Sequence, residues 1–283
     1  MKGASVLRHA KILLAPVAFS LLNRMASAQE SEPGGALLDE TLKHNAVVSI
    51  FIGSAIVIAL VVIATLAKNA LAKKKRRKDV ELPPKLAYPL FFSISAVILL
   101  VSLYVAGSTI YINTISSTKG PVHWHADFEI WNCGTNVDLV DPTGLSNRVG
   151  ETVLHEHGDN RMHVEGVVVN SGDVSLGNFF RSVGGSLSAG MLTVQTNTGK
   201  VLLESGTSCP DGPAELQVFV YTTVEGRMVQ EKLGAYEDYS LSGHSQVPPG
   251  DCIIIELAPN KETTDHLCES YKVAIRRGAL NGG

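Results

Sequence analysis

Cysteine is scarce in this chain: four among 283 residues, all after residue 132 and none in a Cys-x-x-Cys pair. That spacing excludes a zinc knuckle or a thioredoxin-like redox pair. It leaves Cys133, Cys209, Cys252 and Cys268 as candidates for two disulfides in an oxidising compartment, with three pairings open. His-Glu-x-x-His, Gly-x-Ser-x-Gly and Cys/His nucleophile patterns are also missing, which weakens any reading as a common hydrolase. Basic residues are few after residue 112: 11 Lys/Arg stand against 21 Asp/Glu, a formal balance of −10, while the whole chain carries −3. Nucleic-acid affinity comes largely from neutralising phosphates, so no nucleic-acid partner is expected for so acidic a domain, whereas cations suit it.

Charge of either sign is absent from 46–67 and again from 86–112. As a helix the shorter run reaches about 33 Å, enough to cross the hydrocarbon core, so both are expected to be transmembrane helices in a lipid bilayer. Neither contains an ionisable residue at membrane depth, which argues against a channel or transporter. Between them, 68–85 holds eight Lys/Arg and two acids, and the positive-inside rule places such a loop in the cytoplasm. Residues 1–28 read as a signal peptide: Lys2, Arg8 and Lys11, an apolar run too short to span, and Ala26-Ser27-Ala28. Residues 29–45 then form a short extracytoplasmic segment. The expectation is a two-pass plasma-membrane protein whose C-terminal domain, 113–283, is extracytoplasmic. Ala55-x-x-x-Ala59 would let the membrane helices pack closely, with each other or in a homo-oligomer.

The C-terminal domain is long enough for one core. Val122 to Trp131, Gln217 to Tyr221 and Arg227 to Lys232 alternate as strands do, Val167–Val169 and Ile253–Ile255 are β-branched runs, and Asp141-Pro142-Thr143-Gly144 and Pro248-Pro249-Gly250-Asp251 are turns. One helix is expected from Asp173, as its cap, to Gly184-Gly185, with Leu176, Phe179, Phe180 and Val183 on one face; a weaker one spans Asp265 to Arg277. The fold class is therefore a two-transmembrane-helix anchor plus a β-rich domain, all-β or α+β, built as a sandwich or barrel with one or two helices.

Five of the nine histidines fall between residues 123 and 163, where a proportional share would be about 1.3. Imidazole is the commonest protein ligand for transition metals. In a strand His123, His125, Asp127 and Glu129 share one face, and Trp124, Ala126, Phe128 and Ile130 the other. If Gly158-Asp159-Asn160 is a three-residue hairpin loop, His155 lies opposite His163 and His157 opposite Arg161, with Glu165 on the same face. A neighbouring His123 strand would bring three to five imidazoles together. His123, His125, His155, His157 and His163 are thus the candidate ligands of a zinc or copper ion in a membrane-anchored, extracytoplasmic metal-binding domain that handles the ion or uses it structurally. In the alternative, a zinc- or copper-dependent hydrolase or lyase at the cell surface, Glu156 and Glu165 are the candidate general bases. A pH-sensing cluster, and a structural or partner-binding module without metal, are further alternatives. His9 and His44 stand outside the cluster, and His244 and His266 are isolated in sequence.

The segments His123-Trp124-His125-Ala126, Leu154-His155-Glu156-His157-Gly158-Asp159, His163-Val164-Glu165 and Leu176-Gly177-Asn178-Phe179-Phe180 occur in this order. In that order they resemble an uncharacterised family of exported, often membrane-anchored prokaryotic domains. The resemblance covers about 121–185. It implies that the motifs form one unit and brings no activity with it.

Overall fold

The computed structural model describes residues 35–75, 80–241 and 250–280. The expected signal peptide with His9, residues 29–34, 76–79 of the basic loop, His244 and the Pro248-Pro249 half of a turn lie outside these residues.

Two helices are long and apolar enough to cross a membrane. The first, α1 (Gly35–Lys75), has 41 residues, or about 60 Å, so it runs beyond the uncharged stretch at both ends. The second, α2 (Pro84–Ile115), starts behind Pro83, with proline in its first turn, where a missing N–H costs nothing. Gly53, not the Ala55-x-x-x-Ala59 pair, is the close contact of this hairpin. Gly53 is buried, and a Cβ there would stand 2.8 Å from Val101 Cγ2; Ala55 and Ala59 are exposed. Apolar side chains such as Phe51, Ile58, Leu66 and Leu100 point outward, as lipid-facing residues do.

Residues 116–120 lead directly into the C-terminal domain. Its strands are β1 (Pro121–Asn132), β2 (Thr135–Val137), β3 (Val149–Gly150), β4 (Leu154–Glu156), β5 (Arg161–Val167), β6 (Ser186–Ser188), β7 (Met191–Thr196), β8 (Gly199–Glu204), β9 (Ser208–Cys209), β10 (Gly212–Pro213), β11 (Glu215–Val224), β12 (Arg227–Leu233) and β13 (Cys252–Ala258). Helix α3 (Leu176–Ser182) follows β5, and α4 (Glu269–Arg276) follows β13. One mixed sheet runs β12-β11-β13-β1-β5-β4-β3, with β2 on β1; a second runs β6-β7-β8. Only the β1–β13 pair of the large sheet is parallel.

The large sheet divides two cores. On one face Ala126, Phe128, Ile130, Val218, Val220, Ile253 and Ile255 pack against Leu192, Val194 and Leu203 of the small sheet and Phe179 and Phe180 of α3. On the other, Phe219, Tyr221 and Ile254 pack under Tyr271 and Ala274 of α4. Each fully buried side chain of this size contributes about 1.5–3 kcal/mol. The arrangement is a sandwich. The barrel alternative fails because β12 and the two-residue β3 remain as separate edges and the sheet does not close.

Two disulfides are formed. Cys133–Cys209 ties the end of β1 to β9, and Cys252–Cys268 ties the start of β13 to the residue capping α4. The cap of α3 differs from expectation. Ser175, not Asp173, accepts the Asn178 N–H, because residues 171–174 form a separate 3-10 turn in which Asp173 accepts from Asn170. The face of α3 is as expected, with Leu176, Phe179, Phe180 and Val183 all buried. The second expected helix is shorter, beginning at Glu269.

Candidate metal centre

β1 pairs with different partners along its length. Its first half, Pro121 to Asp127, lies against β5, while β13 joins on the other side only from Asp127 onward. The side chains of His123 and His125 therefore project from the α4-facing side of the sheet at a place beyond the α4 core. Their alternates Ala126 and Phe128 are buried in the opposite core, which fixes the register. Gly250 makes the approach on this flank: its φ is +69°, and a Cβ would collide with the His125 carbonyl.

Directly across β1–β5, His125 faces His163, and His123 faces Glu165. Directly across β4–β5, His155 faces His163, as the hairpin register requires. The rings of His155 and His163 are parallel, with centroids 5.5 Å apart. His157 leaves the ladder but its ring returns, 4.7 Å from that of His155 and 4.6 Å from that of His163. The Nε2 atoms of His155 and His157 stand 3.1 Å apart. His157 Nδ1 donates to the Asn147 carbonyl, which can only accept.

The carboxylate of Glu165 lies between the two flanks. Oε1 is 3.0 Å from His123 Nε2 and Oε2 is 3.8 Å from His155 Nε2. Asp159 Oδ2 is 3.3 Å from His163 Nε2. Two groups of side chains are close enough to hold a metal ion: His155, His157, His163 and Glu165, and His123, His125 and His163. Within each, the ligand atoms lie within 4.8 Å of one another. His123 is 63% exposed and His155 1%. The Nδ1 atoms of His155 and His163 are buried without a hydrogen bond.

Burial disfavours the charged imidazolium, and it pushes His163 down from 6.5 to about 4, against the opposing pull of Asp159. His155 and His125 are lowered by burial too, His155 against Glu165 and His125 with help from His123. These three rings are therefore held neutral, the form that binds metal.

Glu156 takes a different position from its neighbours. Its side chain turns into the loop, where Oε1 accepts the N–H groups of Asp159 and Asn160 at 2.6 and 3.2 Å. Burial raises its pKa, against those backbone donors. It organises the loop and is not among the carboxylates grouped with the imidazoles. Asp127 is likewise occupied, 2.6 Å from Arg161 Nε across the strand pair. His266 belongs elsewhere, stacked on Trp131 at 3.8 Å and 3.7 Å from Glu256. The part of Asp159 beside His163, and of Asn147 behind His157, has no periodic signal in the sequence, since both lie in loops. No family model, curated protein or solved structure matches the chain.

Proposed function

We propose that this chain is a membrane-anchored, extracytoplasmic metal-binding domain that holds a zinc or copper(II) ion in its histidine cluster and handles that ion at the membrane surface. The supporting observation is the convergence of five imidazoles and Glu165 on one sheet face, where burial keeps three of the rings neutral. Nitrogen and carboxylate donors without a thiolate suit zinc and copper(II) better than copper(I). The hydrogen bond from His157 to Asn147, and the placement of Asp159 at His163, supply the outer partners that orient metal-binding imidazoles. The two disulfides and the acidic surface fit an oxidising, extracytoplasmic setting, and the basic loop fits the opposite side of the bilayer.

Elemental analysis of the full chain in detergent micelles, disulfides intact, tests this reading beside a variant with His123, His125, His155 and His163 all changed to Ala. The expected result is stoichiometric zinc or copper in the native chain and its loss in the variant. Substoichiometric metal in both sinks the proposal.

A further inference from the structure

Resting on the metal-binding reading above, the arrangement of the two groups says how the ion is handled. His163 belongs to both, and Glu165 reaches from His123 on one flank to His155 on the other. A neutral imidazole offers a metal one lone pair. Unless His163 surrenders its ring proton and bridges, it serves one ion at a time, so the two groups are alternative positions.

The positions differ in exposure and in ligand number. The outer one, His123, His125 and His163, has an exposed first ligand, with the Glu165 carboxylate 3.0 Å from His123; the inner one, His155, His157, His163 and Glu165, includes a fully buried imidazole and a fourth ligand. We propose that the cluster is a two-position relay for a single divalent cation, captured at the outer group and passed to the inner one with His163 as the pivot. The bonds to His123 and His125 break as those to His155, His157 and Glu165 form, with no change of oxidation state. Direction follows from ligand number, because four side chains meet at the inner position and three at the outer. The outer position lets hydration waters be exchanged a few at a time, which a buried position closed on one side by the sheet does not.

The test uses zinc ion as the probe and the full chain in micelles, reading stoichiometry by elemental analysis and loading and release by stopped-flow chelator competition. The native chain is expected to saturate at one zinc. A His123→Ala/His125→Ala variant, altered at positions outside the buried core, is expected to take up one zinc still but to load and release it about tenfold or more slowly. A His157→Ala variant is expected to bind one zinc about 100-fold more weakly and to exchange it faster. Two zinc ions per native chain would mean a bridged centre and overturn the relay, as would unchanged loading in the His123→Ala/His125→Ala variant; either leaves the metal-binding reading standing. No zinc in the native chain overturns both.

Discussion

His155 and His163 face each other across β4 and β5 with their rings parallel to within 8°, although only one of the two, His155, is almost entirely sealed from solvent. Such a pair is held apart by the backbone of two paired strands, so its spacing cannot relax. Both rings are kept neutral by burial, and without a metal that neutrality has a cost when protons are abundant.

The cost appears as pH-dependent stability. In the unfolded chain His163 returns to about 6.5, while in the folded chain it is held at about 4. Because the folded-state value is the lower one, the unfolded state binds more protons, and stability present above the unfolded value is lost as pH falls from 6.5 through 4. The loss is about 3 kcal/mol at most from His163 alone, with further loss from His155 and His125. Both tryptophans, Trp124 and Trp131, lie on β1. Denaturant unfolding of the metal-free full chain, followed by their fluorescence between pH 4 and 7.5, should show the decline. A flat profile would contradict it.

Glu156 should behave as a loop organiser. Glu156→Ala leaves two backbone N–H groups without their acceptor, a destabilisation of about 1–3 kcal/mol. The displaced loop carries His157 and Asp159, so zinc affinity should fall about 10- to 100-fold. Glu156→Gln retains an acceptor oxygen and should stay close to the native chain in both. Equal losses in the two variants would point instead to a need for the carboxylate itself.

Gly250→Ala tests the flank of β1. The added methyl meets the His125 carbonyl and the positive φ disfavours alanine. Destabilisation of about 1–3 kcal/mol in thermal or denaturant unfolding is expected, together with slower zinc loading, since His125 belongs to the outer group. Native stability in this variant would show that the approach is not tight.

The disulfides should contribute unequally. Cys133–Cys209 closes a loop with a sequence separation of 76, and Cys252–Cys268 one of 16. Loop entropy alone gives about 4.5 and 3 kcal/mol respectively. A Cys133→Ser/Cys209→Ser variant should therefore lose more in unfolding free energy than Cys252→Ser/Cys268→Ser, provided both are compared at one pH without metal.

Alternation made much of the site legible in the sequence. His155 opposite His163 follows from a period of two and a hairpin count, and the placement of His123 and His125 beside them follows from the core demand of Ala126 and Phe128 on the other face. The apolar spacing of α3 was equally readable, because one buried stripe leaves little choice. What could not be read depends on contacts distant in sequence. The parallel pairing of β1 with β13 joins residues more than a hundred positions apart, and it begins only at Asp127, beyond the histidine half of β1. Glu156 shares the composition of the site yet serves the loop, since backbone donors compete for its carboxylate. Disulfide partners follow from the same long-range topology, and Ser175 outranks Asp173 as a cap because a 3-10 turn intervenes.

The five residues joining α2 to β1 carry a last consequence. Ser117 donates to the Val168 and Val169 carbonyls at the end of β5, so this joint is pinned to the sheet and is not a free tether. Lys43 Nζ lies over Gly166 of the same strand, where a Cβ would stand 3.4 Å from it. His123 follows Ile115 by eight residues, which can span no more than about 26 Å. With α2 spanning a bilayer, as proposed, the cluster works within that reach of the membrane surface. On that proposal, components of the same membrane are the neighbours it meets most often.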